Sequence, residues 1–106
     1  MTERLKTLLE MLKENLNDSF IRYAVAKEYE GNNDLENALE NYLIIKDSDP
    51  EYVGMYYHLA KLYETLEQFE NAINTYNEGI NIAKKLPDFH ALSELNSAKM
   101  NLEMEL

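Results

Sequence analysis

Residues 23–30 read YAVAKEYE, and residues 57–64, which begin 34 positions later, read YHLAKLYE. The same offset aligns LENAL at 35–39 with FENAI at 69–73 and matches one further tyrosine in each copy. Nine of these pairs are identical, and most of the others exchange one apolar residue for another. A repeat of this period is typical of helical hairpins that stack on one another, because a single hairpin cannot bury its own apolar face.

The composition bounds the class of protein. With 106 residues the chain has room for one domain that buries roughly two thirds of its unfolded surface. It contains no cysteine, so disulfides and thiolate chemistry are excluded. No run of about 18 apolar residues predicts a membrane span, and the charged start of the chain lacks the features of a secretory signal. We therefore expect a cytoplasmic protein.

The charge balance is strongly acidic. The chain has 10 Lys and Arg against 20 Asp and Glu, for a formal net charge of -10. Binding to a phosphate backbone needs Lys and Arg to displace counterions, so no nucleic-acid partner is expected. The same charge disfavours an anionic membrane surface and favours partners that are neutral or basic.

Apolar residues recur at helical spacing along the chain, and no segment alternates apolar and polar residues long enough to predict a strand. The pattern predicts an all-α chain of about six helices. The predicted ranges are about 2–14, 19–31, 35–47, 50–66, 69–85 and 89 onward. The middle four helices form two hairpins, and the first and last are single helices that cover the exposed ends.

Polar residues and helix breakers mark the predicted boundaries. Gly31 ends the second helix, where glycine adopts the left-handed conformation without a Cβ clash. Asp49 caps the fourth helix, with Pro50 at the first position, where no N–H is needed. The other predicted N-caps are Asp18 or Ser19 for the second helix, Asn33 or Asp34 for the third, and Asp88 for the sixth.

The apolar stripes also predict which side chains face inward. Leu16 extends the stripe of the first helix, and Phe69 begins that of the fifth. Gly79 lies inside a predicted helix, where glycine costs about 1 kcal/mol relative to alanine, and it aligns with Ile45 of the other copy. We interpret it as a point where another helix approaches closely; the alternative is drift at a half-exposed position.

The two copies resemble tetratricopeptide repeats. In this family the first helix of a repeat carries an apolar residue, a small residue and then a tyrosine. The second helix carries leucine or an aromatic residue, an alanine, an aromatic residue and a small residue, and a proline closes the repeat. The matching residues are Val25, Ala26, Tyr29, Leu35, Ala38, Tyr42 and Pro50 in the first copy, and Leu59, Ala60, Tyr63, Phe69, Ala72, Tyr76 and Gly79 in the second.

The chain departs from the family pattern at four positions. Arg22 stands where the family often has Trp or another bulky residue, and Lys84 stands at the place of the closing proline. The usual glycine between the helices is Asn33 in one copy and Glu67 in the other. These changes leave the predicted fold intact, but they predict looser packing at the outer end of the first repeat.

The resemblance covers about residues 19–84 and implies a right-handed superhelical α-α solenoid. It also implies a protein-interaction module whose concave face is lined by the first helix of each repeat. We therefore expect residues 1–106 to form a single domain. Its parts are a leading helix at 1–16, repeats at 19–52 and 53–86, and a capping helix at 87–106.

On the first helix of each repeat, a row of residues that we call the stripe lies on a different face from the packing residues. It consists of a tyrosine, a lysine and a glutamate at spacings of 4 and 3, which place each trio on one helix face. By the resemblance, this face lines the concave groove. The candidate binding residues are Tyr23, Lys27 and Glu30 in the first repeat and Tyr57, Lys61 and Glu64 in the second, with Phe20 and His58 at the edge.

This stripe has two interpretations. Tyrosine offers a flat apolar surface and a hydroxyl at low entropic cost, and two neighbouring lysines would hold a peptide carboxylate. The alternative is a solvated face on which each lysine pairs with the glutamate three residues later, at about a few tenths of a kcal/mol per pair. The chaperone-tail clamp of some tetratricopeptide proteins is not predicted, because Tyr23 and Tyr57 occupy its lysine positions.

No cofactor, metal or catalytic site is expected. Asp47, Asp49 and Glu51 have the spacing that opens a calcium loop, but Tyr52 and His58 replace the glycine and glutamate that the loop requires. The two histidines lie far apart in the sequence and have no cysteine beside them, which gives no zinc spacing. No phosphate-binding loop or nucleophile motif occurs, so we do not expect an enzyme.

Two functions remain open from the sequence. The first is a non-catalytic protein- or peptide-binding adaptor or scaffold that uses the concave groove. The second is a structural module that assembles with itself through its terminal helices, which are rich in Leu and Met. Two full repeats are fewer than the three usually needed for stability, which favours some pairing. We expect a monomer or a weak homodimer.

Overall fold

The computed structural model describes all 106 residues and contains six α-helices and no strand. The helices are α1 Glu3–Glu14, α2 Ser19–Gly31, α3 Leu35–Ser48, α4 Gly54–Thr65, α5 Phe69–Lys85 and α6 Phe89–Glu105. They fall into two compact units, Met1–Asp49 with the first three helices and Pro50–Leu106 with the last three. The prediction of an all-α chain with six helices is confirmed. None of the helices is both long and apolar enough to cross a membrane.

Side chains from all three helices form the core of the first unit. Leucines of α1 pack on the apolar face of α2 around Val25, and Tyr29 covers the edge of this cluster. Between α2 and α3 the smallest apolar side chains are fully buried, Ala26 on one helix and Ala38 on the other. Because alanine projects only a methyl group, two helices that bury alanines can approach closely, and the larger Tyr42 and Ile45 of α3 fill the remaining space.

The second unit repeats this arrangement and adds α6. Ala60 of α4 and Ala72 of α5 are fully buried, as is Tyr76. On α6, the side chains that are buried follow the helical period. They are Leu95, Ala98 and Leu102. Since α5 and α6 pack along their length and α6 also touches α4, the last helix closes one side of the unit.

The turn between the two helices of each hairpin is the same in both units. Asn33 and Glu67, which occupy equivalent positions in the two copies, both adopt a φ of 59°. In each turn the following N–H bonds back to a tyrosine carbonyl, at 2.9 Å from Asp34 to Tyr29 and 2.9 Å from Gln68 to Tyr63. The prediction that Gly31 takes the left-handed conformation is wrong: Gly31 is the last helical residue of α2, and Asn33 makes the reversal.

Aspartates begin three of the helices. The carboxylates of Asp18, Asp34 and Asp88 accept hydrogen bonds from backbone N–H groups three residues later, at 3.0, 3.3 and 3.0 Å. Each bond satisfies one of the N–H groups that have no partner within a helix, which fixes the helix start.

The predicted start of α4 is wrong. The helix begins at Gly54 rather than Pro50, and Val53 precedes it without a side-chain cap. Asp49 instead ends α3 and accepts the hydroxyl of Ser19 at 2.6 Å. The carbonyl of Pro50 accepts the hydroxyl of Tyr56 at 2.5 Å, so this carbonyl is bonded to a side chain and the first helical turn forms further along the chain.

Two predicted inward side chains are exposed. Leu16 is 65% exposed because α1 ends at Glu14, where the N–H of Asn15 bonds to the carbonyl of Leu12 and turns the chain. Phe69 is 39% exposed because it is the first residue of α5. A helical Cβ points toward the N-terminus, so the side chain of a first residue projects past the start of the helix.

Candidate functional site

The stripe of the first unit lies along α2. Phe20, Tyr23, Lys27 and Glu30 follow one another at spacings of 3, 4 and 3, and the cap at Asp18 fixes where the helix begins. Phe20 is 68% exposed and Lys27 is also exposed, whereas Tyr23 and Glu30 are partly buried. The stripe therefore has an exposed aromatic end, an exposed cation and two groups that also belong to the packing of the hairpin.

A buried tyrosine of α3 contacts two members of this stripe. The hydroxyl of Tyr42 donates a hydrogen bond to the carboxylate of Glu30. The ring of Tyr42 lies 6.3 Å from the ring of Tyr23, centroid to centroid, with the planes tilted by 57°. Burial, reinforced by the bond to Glu30, raises the pKa of the Tyr42 phenol well above its usual value, so the hydroxyl remains a donor.

The second unit has the same arrangement on α4 and α5. The hydroxyl of Tyr76 donates to the carboxylate of Glu64. Burial, together with this bond, again raises the pKa of the phenol. The donor and acceptor occupy the same repeat positions as their counterparts in the first unit, so both hairpins carry the same tyrosine–glutamate hydrogen bond.

Aromatic and charged groups also meet at the exposed side of α4. The Nζ atom of Lys61 lies 5.9 Å from the centroid of the Tyr57 ring and 3.9 Å from a carboxylate oxygen of Glu64. The edge of the His58 ring meets Tyr57 at 5.3 Å between centroids, with the planes at 84°. The structure thus brings four sequence-predicted residues of this unit together, and the lysine is drawn to both a ring face and a carboxylate.

A cavity borders this cluster on the side of α6. Its volume is about 440 Å³, and it is lined by Lys61, Glu64, Asn101, Leu102, Met104 and Glu105. The four residues from α6 were not among the candidates named from the sequence. No short motif in the sequence indicates them, since their position depends on how α6 packs against α4.

The residues assigned to packing lie mostly inside the two units. Tyr29 and Tyr63 are only partly buried, at the edges of their cores. The others are fully or almost fully buried. They are Val25, Ala26, Ala38, Tyr42, Leu59, Ala60, Ala72, Tyr76 and Gly79.

Sequence reasoning assigned Tyr42 and Tyr76 to packing alone and missed their hydroxyl groups. A signal was present: in both copies a tyrosine of the second helix follows a glutamate of the first at the same separation. Two identical polar pairs with equal spacing indicate a contact across the hairpin. Glu30 and Glu64 therefore each accept a hydrogen bond from the second helix of their own hairpin.

The chemistry that these side chains offer is that of recognition. They provide ring faces, a cation and a fixed carboxylate in each unit, which suit stacking, hydrogen bonding and ion pairing. No three His, Asp or Glu side chains are grouped so that they could hold a metal ion.

Comparison with known proteins agrees with this architecture. A tetratricopeptide repeat family model matches residues 53–86. The solution structure of a tetratricopeptide repeat domain protein from Salinibacter ruber is 43% identical, with a TM-score of 0.79 over 81% of this chain and 87% of that one. A crystal structure of such a protein from the same organism is also 43% identical, with a TM-score of 0.78 over 81% of this chain and 96% of that one.

A more distant protein shows the fold over almost the full length. The solution structure of a protein from Bordetella parapertussis is 22% identical, with a TM-score of 0.84 over 99% of this chain and 91% of that one. No curated protein matches the chain. The resemblance inferred from the repeated residues is confirmed by the Salinibacter relatives: the chain belongs to the tetratricopeptide repeat family.

Proposed function

We propose that the chain is a non-catalytic adaptor that binds a protein or peptide through the stripe faces of α2 and α4. The family generally mediates protein–protein interactions and is generally a non-enzymatic scaffold. The observation that carries the proposal is the repetition, in both units, of a buried tyrosine that holds the stripe glutamate.

This repetition supports binding because it fixes part of the surface before a partner arrives. A carboxylate held by a buried hydroxyl loses little conformational freedom when a ligand contacts it. The tyrosine rings of the stripe also have few rotatable bonds. Binding to such a preorganised surface costs less entropy than binding to free side chains.

The net charge of -10 constrains the partner. A long-range negative potential favours association with neutral or basic segments and slows the approach of acidic ones. We propose a partner segment that places apolar or aromatic side chains on the tyrosines and a polar or charged group at each lysine and glutamate.

For the location, domain organisation and oligomeric state of the adaptor we keep the predictions made from the sequence. The absence of cysteine suits a reducing compartment, and we propose a cytoplasmic location. We also propose that residues 1–106 act as a single domain, with repeats at 19–52 and 53–86, and that the protein is a monomer or a weak homodimer.

Site-specific photo-crosslinking tests the proposal. A photoreactive amino acid is placed at Lys27 or Lys61, which are exposed members of the stripe, and at Asn37 or Asn71, which are exposed on the second helices. We expect the same partner to be captured in cells from both stripe positions and from neither control. Capture from the control positions alone, or of unrelated proteins from the two stripe positions, would contradict the proposal.

A further inference from the structure

The outward face of α6 carries no charged side chain. Its residues are Phe89, Ser93, Asn96, Ser97, Met100 and Met104, and all of them are exposed. The three large apolar members, Phe89, Met100 and Met104, are 74%, 59% and 78% exposed. None of the six is charged, in a chain of which 28% of the residues are charged. We call these six residues the α6 face.

The α6 face is self-complementary about the midpoint between Asn96 and Ser97. Phe89 and Met104 lie at equal distances on either side of that midpoint, and so do Ser93 and Met100. Two copies of α6 placed antiparallel therefore set Phe89 of each copy at the level of Met104 of the other. Ser93 meets Met100 in the same way, which pairs a small side chain with a large one.

The charges at the two ends of α6 fit the same arrangement. Lys84 and Lys85 lie in the last turn of α5, just before α6 begins, and Lys85 pairs with Glu51 at 2.7 Å, whereas Glu103 and Glu105 lie in the last turn of α6. The acidic groups near the start of α6 are Asp88, which is its N-cap, and Glu94, which lies 3.9 Å from His90. Antiparallel pairing keeps the two acidic C-terminal ends apart, sets each of them near the lysines that precede the partner's α6, and opposes the two helix dipoles. Parallel pairing would bring like ends together.

We propose that a second copy of this chain docks on the α6 face, so that two α6 helices pair antiparallel about a two-fold axis at Asn96 and Ser97. The apolar contacts supply the association, and the separation of the two acidic helix ends selects the antiparallel orientation. This pairing uses none of the stripe residues of α2 and α4, although Met104 also lines the cavity beside Lys61 and Glu64. A test at Ser97, which does not line that cavity, therefore separates the pairing from the proposed adaptor function.

Cysteine crosslinking tests the pairing, because the chain contains no cysteine of its own. Ser97 is half a residue from the proposed axis, so the two copies of a Ser97→Cys variant lie about 1.5 Å apart along the helix axis. Ser93 is further from the axis, which separates two Ser93→Cys residues by about 10 Å along the same direction. Asn37→Cys, at an exposed position of α3, reports random collision.

Under mild oxidation at micromolar protein concentration, we expect disulfide-linked dimers of Ser97→Cys to form at least about tenfold faster than those of Ser93→Cys or Asn37→Cys. Equal rates for Ser97→Cys and Ser93→Cys would overturn the antiparallel arrangement, because parallel helices bring both positions equally close. A rate for Ser97→Cys no higher than that of Asn37→Cys would show that this face does not pair with a second copy and is left to another partner.

Sedimentation of the cysteine-free chain gives an independent measurement. We expect the weight-average mass to rise from monomer toward dimer with concentration, and Met100→Glu to abolish the rise by placing a charge in the face. Met11→Glu, at an exposed methionine of α1 that is 44% accessible, should leave the rise intact. A monomer at every concentration, or an equal effect of the two substitutions, would overturn the proposal.

Discussion

Gly79 of α5 lies directly against Tyr56 of α4: a Cβ added at Gly79 would be 2.6 Å from the Cβ of Tyr56 and 3.1 Å from Cδ1 of Leu95. The Cβ of Tyr56 cannot move without its backbone, and its ring is held at the other end by the hydroxyl bond to Pro50. The two helices of the second hairpin therefore approach each other at a point where only glycine fits.

Gly79→Ala should lower the free energy of unfolding. The added methyl group gains about 1 kcal/mol of helix propensity, but forcing it against Tyr56 costs up to about 3 kcal/mol, so we expect a net loss of up to about 2 kcal/mol. Urea unfolding followed by circular dichroism measures the change. Gly31→Ala is the matched control, since an added Cβ there meets nothing within 4 Å. Equal stability of the two variants would show that α4 and α5 are not this close.

Glu67→Gly should raise the stability. Glu67 has a φ of 59°, a conformation that a residue with a Cβ adopts at a cost of about 1–2 kcal/mol. Glycine removes that cost but loses some entropy on folding, so we expect a gain of about 1 kcal/mol or less. Glu67→Ala keeps the Cβ and should give no gain. Asn33→Gly should gain less than Glu67→Gly, because asparagine tolerates this conformation better. Thermal unfolding that ranked Glu67→Ala above Glu67→Gly would contradict this.

The buried tyrosines should make the fold sensitive to alkali. The pKa values of Tyr42 and Tyr76 are raised in the folded chain, whereas in the unfolded chain these phenols titrate near pH 10. Above that pH the unfolded chain releases protons that the folded chain retains, so stability falls as pH rises; below it the contribution is fully present.

The double variant Tyr42→Phe, Tyr76→Phe isolates this effect. It should be less stable than the parent at pH 7, because two hydrogen bonds to carboxylates, worth about 1.5–3 kcal/mol each, are lost. It should also lose less stability between pH 9 and pH 11, since two titrating groups are gone. Urea midpoints across that range measure both changes. A double variant whose stability falls with pH as steeply as that of the parent would show that these phenols do not titrate abnormally.

Asp88→Ala should weaken the start of α6. The carboxylate accepts the N–H of Ala91 at 3.0 Å, and loss of such a cap costs about 1 kcal/mol. Gln68→Ala provides the comparison, because Gln68 occupies the same position before α5 but makes no side-chain cap bond. We expect a change below about 0.5 kcal/mol there. Hydrogen exchange of the first turn of each helix locates the effect, and equal changes in the two variants would contradict it.

Local signals explain which parts of the fold were predictable. The bounds of α2 follow from the cap at Asp18 and the polar turn after Gly31, both of which act within a few residues. The start of α4 did not follow from such signals. Pro50 stands where prolines often begin helices, but its carbonyl is taken by the hydroxyl of Tyr56, which is a tertiary contact.

In the candidate site, too, local sequence signals predict some features, whereas tertiary contacts determine the others. Helical spacing alone places Tyr23, Lys27 and Glu30 on one face of α2, and the structure has them there. The hydrogen bond from Tyr42 to Glu30 could not be derived from spacing, because it depends on the distance between two helices. Local sequence patterns likewise could not predict that α6 lines the cavity beside Lys61.

Chemical-shift mapping of the isotope-labelled chain with the partner captured by crosslinking tests the central claim most directly. We predict that the amide shifts that change on binding concentrate on α2 and α4, around Tyr23, Lys27, Tyr57 and Lys61. Shifts confined to α3 and α5, with α2 and α4 unchanged, would contradict the claim that the first helices of the repeats form the binding surface.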